Sequence, residues 1–217
     1  MRIHLNMFIN NLNKLKTIAL VFPFLLGVIA CDNKDDTTIH DELTVDEIVD
    51  QGWNYFSESD YTSALEEFET AIGRGGKIAD AYNGAGWSAG KIIDLANGLE
   101  RSATNFSQSL SIDTTMYDAL GGWAFIAFQQ GEWTAAIEKA DSLLNRRPGW
   151  RFLHQSTIDF QDLRLLKAKS YFNNLDFNSS YQVITDFLNP SFVADVSTEE
   201  GRMELQQEIE RLRLIYG

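Results

Sequence analysis

Four stretches of the chain share one phased pattern, a small residue followed by apolar or small residues one, four, seven and eight positions later. They are Ala64, Leu65, Phe68, Ala71, Ile72; Ser102, Ala103, Phe106, Ser109, Leu110; Ala136, Ile137, Ala140, Leu143, Leu144; and Ser180, Tyr181, Ile184, Phe187, Leu188. Three positions before each small residue stands a large apolar one: Tyr61, Leu99, Trp133 and Phe177. At about 3.6 residues per turn these side chains share one stripe of a helix, with the small residue where a second helix comes close. Upstream of each stripe a further helical stretch carries its own small residue: Gly52, Gly86, Ala124 and Ala168. The spacing from that residue to the stripe is twelve in three units and sixteen in the second, where extra residues lie around Lys91 to Asn97. The turns read S-E-S-D-Y, N-G-L, Q-G-E-W and N-L-D-F, whose Gly, Asn and Asp end one helix and begin another. The unit is therefore helix, turn, helix, and its repetition in phase predicts an array.

These units resemble the tetratricopeptide repeat family, whose pattern is a small residue and an aromatic on the first helix, then Ala, an aromatic and often Pro on the second. Gly52, Tyr55, Tyr61, Ala64, Phe68 and Ala71 match in the first unit, and Ala124, Gly131, Trp133, Ala136 and Pro148 in the third. The second unit is lengthened, and the fourth has Arg164 and Lys167 where apolar residues are usual. The resemblance spans roughly Val45 to Pro190 and implies an all-α, right-handed superhelix of about four helix-turn-helix units. Beyond it, Ser197 to Glu200 reads as a capping box. Leu205, Ile209, Leu212 and Tyr216 then form one stripe on a helix rich in Glu, Gln and Arg, expected to cap the open end of the stack.

The N-terminus reads as an export address. Arg2, Lys14 and Lys16 precede the apolar run T-I-A-L-V-F-P-F-L-L-G-V-I-A, whose fourteen residues fall short of the roughly 20 a membrane span needs. The final V-I-A-C resembles the lipobox of bacterial lipoproteins, which implies a signal peptide over residues 1–30 and lipidation of Cys31, the only cysteine. Residues 31–43 are polar and acidic and read as a disordered tether, leaving 44–217 for the repeat domain with its capping helix. Within the tether, Lys34-Asp35-Asp36 resembles a short signal that sends some lipoproteins to the cell surface. The expected location is the bacterial cell envelope, lipid-anchored, at the periplasmic or surface face of the outer membrane.

No acid precedes Cys31, so the chain from that residue onward holds 15 Lys and Arg against 31 Asp and Glu, a formal charge of −16 against −13 for the whole. Nucleic acid and anionic membrane faces need a basic footprint, so neither is expected as the main ligand.

If the units stack as the resemblance implies, residues one and four places after each first-helix small residue line the inner groove. These are Trp53 and Phe56, Trp87 and Gly90, Phe125 and Phe128, Lys169 and Phe172. Such rings suit an extended peptide, an amphipathic helix or a sugar face. At the same spacing they also suit packing between repeats. A second column, six residues before each small one, is Asp46, Asp80, Asp118 and Asp162. It reads either as an acidic rim selecting basic ligands or as four first-turn carboxylates satisfying four helix dipoles. The family's carboxylate-clamp activity is not expected, since Val49 and Trp53 stand where that activity needs Lys and Asn. Between Pro148 and the fourth unit about ten residues are extra. There Arg146, Arg147, Trp150, Arg151, Phe152 and His154 form a basic-aromatic cluster. Arg147, Trp150 and Arg151 read as a second contact surface; alternatively Trp150 and Phe152 fold back into the stack and leave the arginines solvated.

Catalytic strings are weak. Gly86-Trp87-Ser88-Ala89-Gly90 matches G-x-S-x-G, but no strand-like run precedes it and it falls inside a first helix. Gly73 to Lys77 lacks the flanking residues of a phosphate loop. His40 and His154 are too far apart for a metal motif, and no catalytic residue, metal or cofactor is expected. The expectation is a lipid-anchored, non-enzymatic adaptor for a protein or peptide partner. A glycan-binding lipoprotein beside an uptake system and a structural subunit of an envelope complex are the alternatives.

Overall fold

The computed structural model describes residues 43–75, 78–92 and 96–216, within the compact unit Asp41–Gly217. The signal peptide, Cys31 and the tether, but for Leu43, lie outside the described residues. The helices are α1 (Val45–Ser57), α2 (Tyr61–Gly73), α3 (Ala79–Lys91), α4 (Gly98–Ile112), α5 (Tyr117–Gln129), α6 (Trp133–Arg146), α7 (Phe160–Asn173), α8 (Phe177–Val183) and α9 (Glu199–Tyr216). A π-helical turn, Ile184–Leu188, directly follows α8. Helices α1 to α8 pair into four units, the first three pack each on the next, and α9 lies on α7. Among the described residues there is no strand, only an isolated antiparallel bridge between Arg151 and Asp159. The observed fold is the expected all-α stack with a terminal helix. None of these helices is long and apolar enough to cross a membrane.

Each turn inside a unit holds one left-handed residue five positions before the second helix's small residue. These are Ser59 (φ 65°), Asn97 (φ 56°), Gly131 (φ 77°) and Leu175 (φ 63°). The conformation costs a residue with a Cβ about 1–2 kcal/mol, so the stacking on either side must impose it. At the next position Asp60 accepts the Ser63 amide and Asp176 accepts the Ser179 amide, capping their helices.

The small residues admit rings. A Cβ on Gly52 would lie 2.7 Å from the Phe68 ring, and one on Gly84 of the next unit 2.2 Å from it. Phe106 repeats the arrangement one unit on, at 2.6 Å from a Cβ on Gly86 and 2.2 Å from one on Gly122. Each Phe, fully buried, is therefore clasped between the first helices of consecutive units. Where the second helix's small residue is Ser, its hydroxyl donates to the partner helix: Ser102 to the Gly86 carbonyl and Ser180 to the Ala168 carbonyl.

The fourth unit departs from this scheme. Its Arg164 guanidinium lies over the rings of Phe160 and Phe187, and Lys167 pairs with Asp141 of α6 at 2.6 Å. Both charged residues thus have partners in the stack where apolar ones were expected. The π turn leaves Phe187 48% exposed, so that residue falls off the buried stripe to which its spacing assigned it. Thr198, not Ser197, caps α9: its hydroxyl accepts the Gly201 amide, while Ser197 bonds Asp195. The α9 stripe buries Leu205, Ile209 and Leu212 with Val183, Ile184 and Leu188 in a second core. Buried Glu208 joins α9 to the end of the π turn, accepting Asn189 Nδ2 at 2.9 Å and two Arg211 nitrogens at 2.7 Å.

Candidate interaction groove

Phe152 occupies the middle of the first-helix face. The chain turns in after α6, where Phe152 donates its amide to the Ile158 carbonyl and Phe160 donates to the Trp150 carbonyl. These bonds flank the Arg151–Asp159 bridge and close Trp150 to Asp159 into a short loop with turns at Leu153–His154 and Ser156–Thr157. Phe152 is fully buried and stacks on Trp87, centroids 4.2 Å apart at 15°. It meets Trp53 and Phe56 edge-on at 6.2 and 5.9 Å. Two residues on, His154 lies flat on Trp53 at 3.5 Å and 3°. Trp150 sits over Gly121, where a Cβ would come within 2.7 Å of the indole.

This places the ring column. Trp53, Phe56 and Trp87 are buried, covered by the chain's own loop. Phe125, Phe128 and Phe172 are half-buried. Phe125 adjoins Trp87 at 6.2 Å, Phe128 meets Trp133 at 5.1 Å beneath the Lys169 ammonium, and Phe172 meets Phe177 at 5.2 Å.

The aspartate column does a different job at each level. Asp46 is exposed. Asp80 accepts Trp53 Nε1–H at 2.9 Å, and Asp118 accepts Trp150 Nε1–H at 2.7 Å. The Asp118 backbone carbonyl accepts Trp87 Nε1–H at 3.2 Å. Asp162 accepts the Asp159 amide and completes the capping box of α7. Two of the four carboxylates are thus spent on indoles. Sequence spacing hid these bonds because each joins residues about thirty positions apart. Burial raises the carboxyl pKa of both Asp118 and Asp162 above the usual range; at Asp118 the Trp150 indole opposes it. Burial lowers the His154 pKa below its ordinary value, against the attraction of Asp80.

Two depressions flank the loop. One, about 310 Å³, is lined by Trp87, Gly90, Lys91, Phe125, Gln129, Ile158 and Asp162, and shares Trp87 with the face that Phe152 covers. The other, about 540 Å³, lies between Asp118, Arg147, Trp150 and Arg151. Arg147 and Arg151 are exposed there while Trp150 is buried. Arg147 rests on the Tyr117 ring and Arg151 pairs with Asp159 at 3.3 Å. Ser88 is fully buried inside α3, so G-W-S-A-G forms no nucleophile elbow.

Solved structures with tetratricopeptide repeats share this fold. The crystal structure of MamA protein is similar over 77% of this chain and 76% of its own, with a TM-score of 0.55 and 14% identity. A tetratricopeptide repeat protein from Parabacteroides merdae ATCC 43184 is similar over 78% of this chain and 60% of its own, at 0.54 and 15%. A thermophilic TPR protein in Thermus thermophilus is similar over 79% and 82%, at 0.53 and 11%. No protein-family model matches the sequence, and no curated protein does.

Proposed function

We propose that this chain is a lipid-anchored adaptor of the bacterial cell envelope that holds a protein or peptide partner on its first-helix face. One observation carries the reading: that face already holds a loop of the chain itself, Phe152 on Trp87 and His154 on Trp53, and leaves an aromatic-lined cavity beside it. An aromatic-lined groove is one way in which polypeptide segments are recognised. The anchor is Cys31, with the signal peptide before it and the acidic tether after it. The formal charge of −16 from Cys31 onward opposes nucleic acid. Glycan stacking is the alternative; with Trp53 and Trp87 covered by the loop, it would use the half-buried Phe125 beside the cavity. A structural subunit of an envelope complex is supported by the exposed Arg147 and Arg151 beside the second depression.

Capture from gently solubilised envelope, with the lipidated protein beside a Gln129→Trp, Phe125→Ala variant, tests the site. A partner retained by the native protein and lost from the variant is the expected result. The same partner on both would move the interface to the arginine side, and none on either would sink the adaptor reading. Cys31→Ser should shift the protein from the membrane fraction to the soluble one.

A further inference from the structure

We infer that the polypeptide partner is anchored by one aromatic or branched apolar side chain in the cavity beside Trp87, next to a carboxylate that pairs with Lys91. This rests on the proposed function and specifies it. The loop closes the first-helix face over the first two units, Phe152 on Trp87 and His154 on Trp53. Asp118 fastens that cover by accepting the Trp150 indole and the Leu153 amide. What stays open beside it is the cavity of about 310 Å³, at the lower end of the roughly 300–1,000 Å³ of ligand pockets. It suits one anchoring side chain rather than a run of chain. Its apolar walls are already in place. Gly86 and Gly122, which clasp Phe106, line it without side chains of their own. Trp87 is held by Phe152 on its face and by the Asp118 carbonyl at its Nε1–H. Half-buried Phe125 stands 6.2 Å from it, and Ile158 bounds the loop side.

The rim sets the sign of the partner's charge. Among the described residues lining the cavity, the charged ones are Lys91 and Asp162. Asp162 is committed to the capping box of α7, where it accepts the Asp159 amide. Lys91, half-buried at the end of α3, has no ion-pair or hydrogen-bond partner among the described residues. One turn along α5 from Phe125, Phe128 lies beneath a second ammonium, that of Lys169. Asp80 and Asp118 are occupied by the indoles of Trp53 and Trp150. The aspartate column that spacing offered as a selector of basic ligands is therefore spent, and the charge left to a ligand beside the cavity is positive. An apolar side chain adjoining Asp or Glu meets both features at once, burying its body against the rings and setting its carboxylate against Lys91.

Selection of a random-sequence peptide library on the purified full chain in detergent tests this, with Gln129→Trp and Lys91→Glu variants as parallel targets. Peptides enriched on the native protein should carry an aromatic or branched apolar residue beside Asp or Glu. Gln129, exposed at the rim, can carry an indole that fills the cavity, so the same peptides should be lost from Gln129→Trp. On Lys91→Glu the acid of the enriched peptides should give way to Lys or Arg, and the best native peptide should bind at least about fivefold more weakly. Enrichment without an acid, or an acid preference unchanged in Lys91→Glu, would leave Lys91 as no more than a complement to the end of α3 and overturn the inference. So would peptides indifferent to Gln129→Trp, or no enrichment on the native chain; should Gln129→Trp fail to fold, Lys91→Glu decides. In the envelope capture, a partner lost from the Gln129→Trp, Phe125→Ala variant yet kept by Lys91→Glu would leave the adaptor reading standing and this one refuted.

Discussion

The first two junctions of the stack and the third solve one packing problem with opposite distributions of bulk. Phe68 is clasped between Gly52 and Gly84, and Phe106 between Gly86 and Gly122. At the same register the third junction carries Ala140 on the second helix and Leu166 on the next first helix, both buried. Bulk has moved from one side to the other, and both arrangements are buried. This is why the core tolerates the exchange: interiors specify filled volume first and the identity of the filler second. The glycine-lined junctions also bring the face carrying Trp53 and Trp87 to lie under the loop, whereas beyond the third junction the core closes on α9 instead.

The largest effect should come from emptying an aromatic junction. Phe68→Ala is expected to cost about 3–5 kcal/mol in urea unfolding, against about 1 kcal/mol for Ala140→Gly at the equivalent place. Equal losses would mean the junctions are not equivalent in register. Next is the converse crowding: Gly122→Ala puts a Cβ 2.2 Å from the Phe106 ring and should cost about 1–3 kcal/mol. Ala140→Phe should cost a similar amount alone and regain a measurable part when combined with Leu166→Gly, a coupling that a double-mutant cycle reads directly.

Much of this architecture was legible in the chain because a repeat writes the same local requirement several times. The small residues at Gly52, Gly86, Ala124 and Ala168, the ring or aliphatic four places into each second-helix stripe, and the half-polar α9 stripe could be read from spacing alone. The loop could not. Phe152 lies 65 positions from Trp87, and nothing local says whether a ring beside three arginines turns inward or out. The aspartate column was legible as helix first-turn residues but not as indole acceptors, since Trp53 and Asp80 belong to different units. The π turn was equally hidden, because Phe187 keeps the stripe's spacing in sequence while the wider helix rotates it outward.

The bonds between junctions give a smaller effect. Trp53→Phe removes the donor to Asp80 while keeping a ring under His154, and should cost about 1.5 kcal/mol, the scale of a hydrogen bond to a charged group. Phe125→Leu touches no such bond and should cost less; thermal unfolding of the pair ranks them. If Trp53→Phe were neutral, Asp80 would be an ordinary first-turn carboxylate and the indole bond incidental.

The smallest effect separates the junctions by pH, because the ring of His154 covers only the first. Its pKa is lowered from 6.5 by burial, so the folded protein binds fewer protons than the unfolded chain between the two values. Stability from this group is therefore complete above pH 6.5 and is lost as pH falls through the lower, folded value. Asp118 and Asp162 act in the opposite sense. Their raised pKa values give stability that is present below 3.8 and lost as pH rises through the folded values. His154→Phe keeps the stack on Trp53 and removes the titration, so the unfolding midpoint of the variant relative to the native chain should rise as pH is lowered from about 7.5 toward about 5. A constant difference across that range would place the imidazole in water rather than against Trp53, leaving Phe152 as the cover of the first junction.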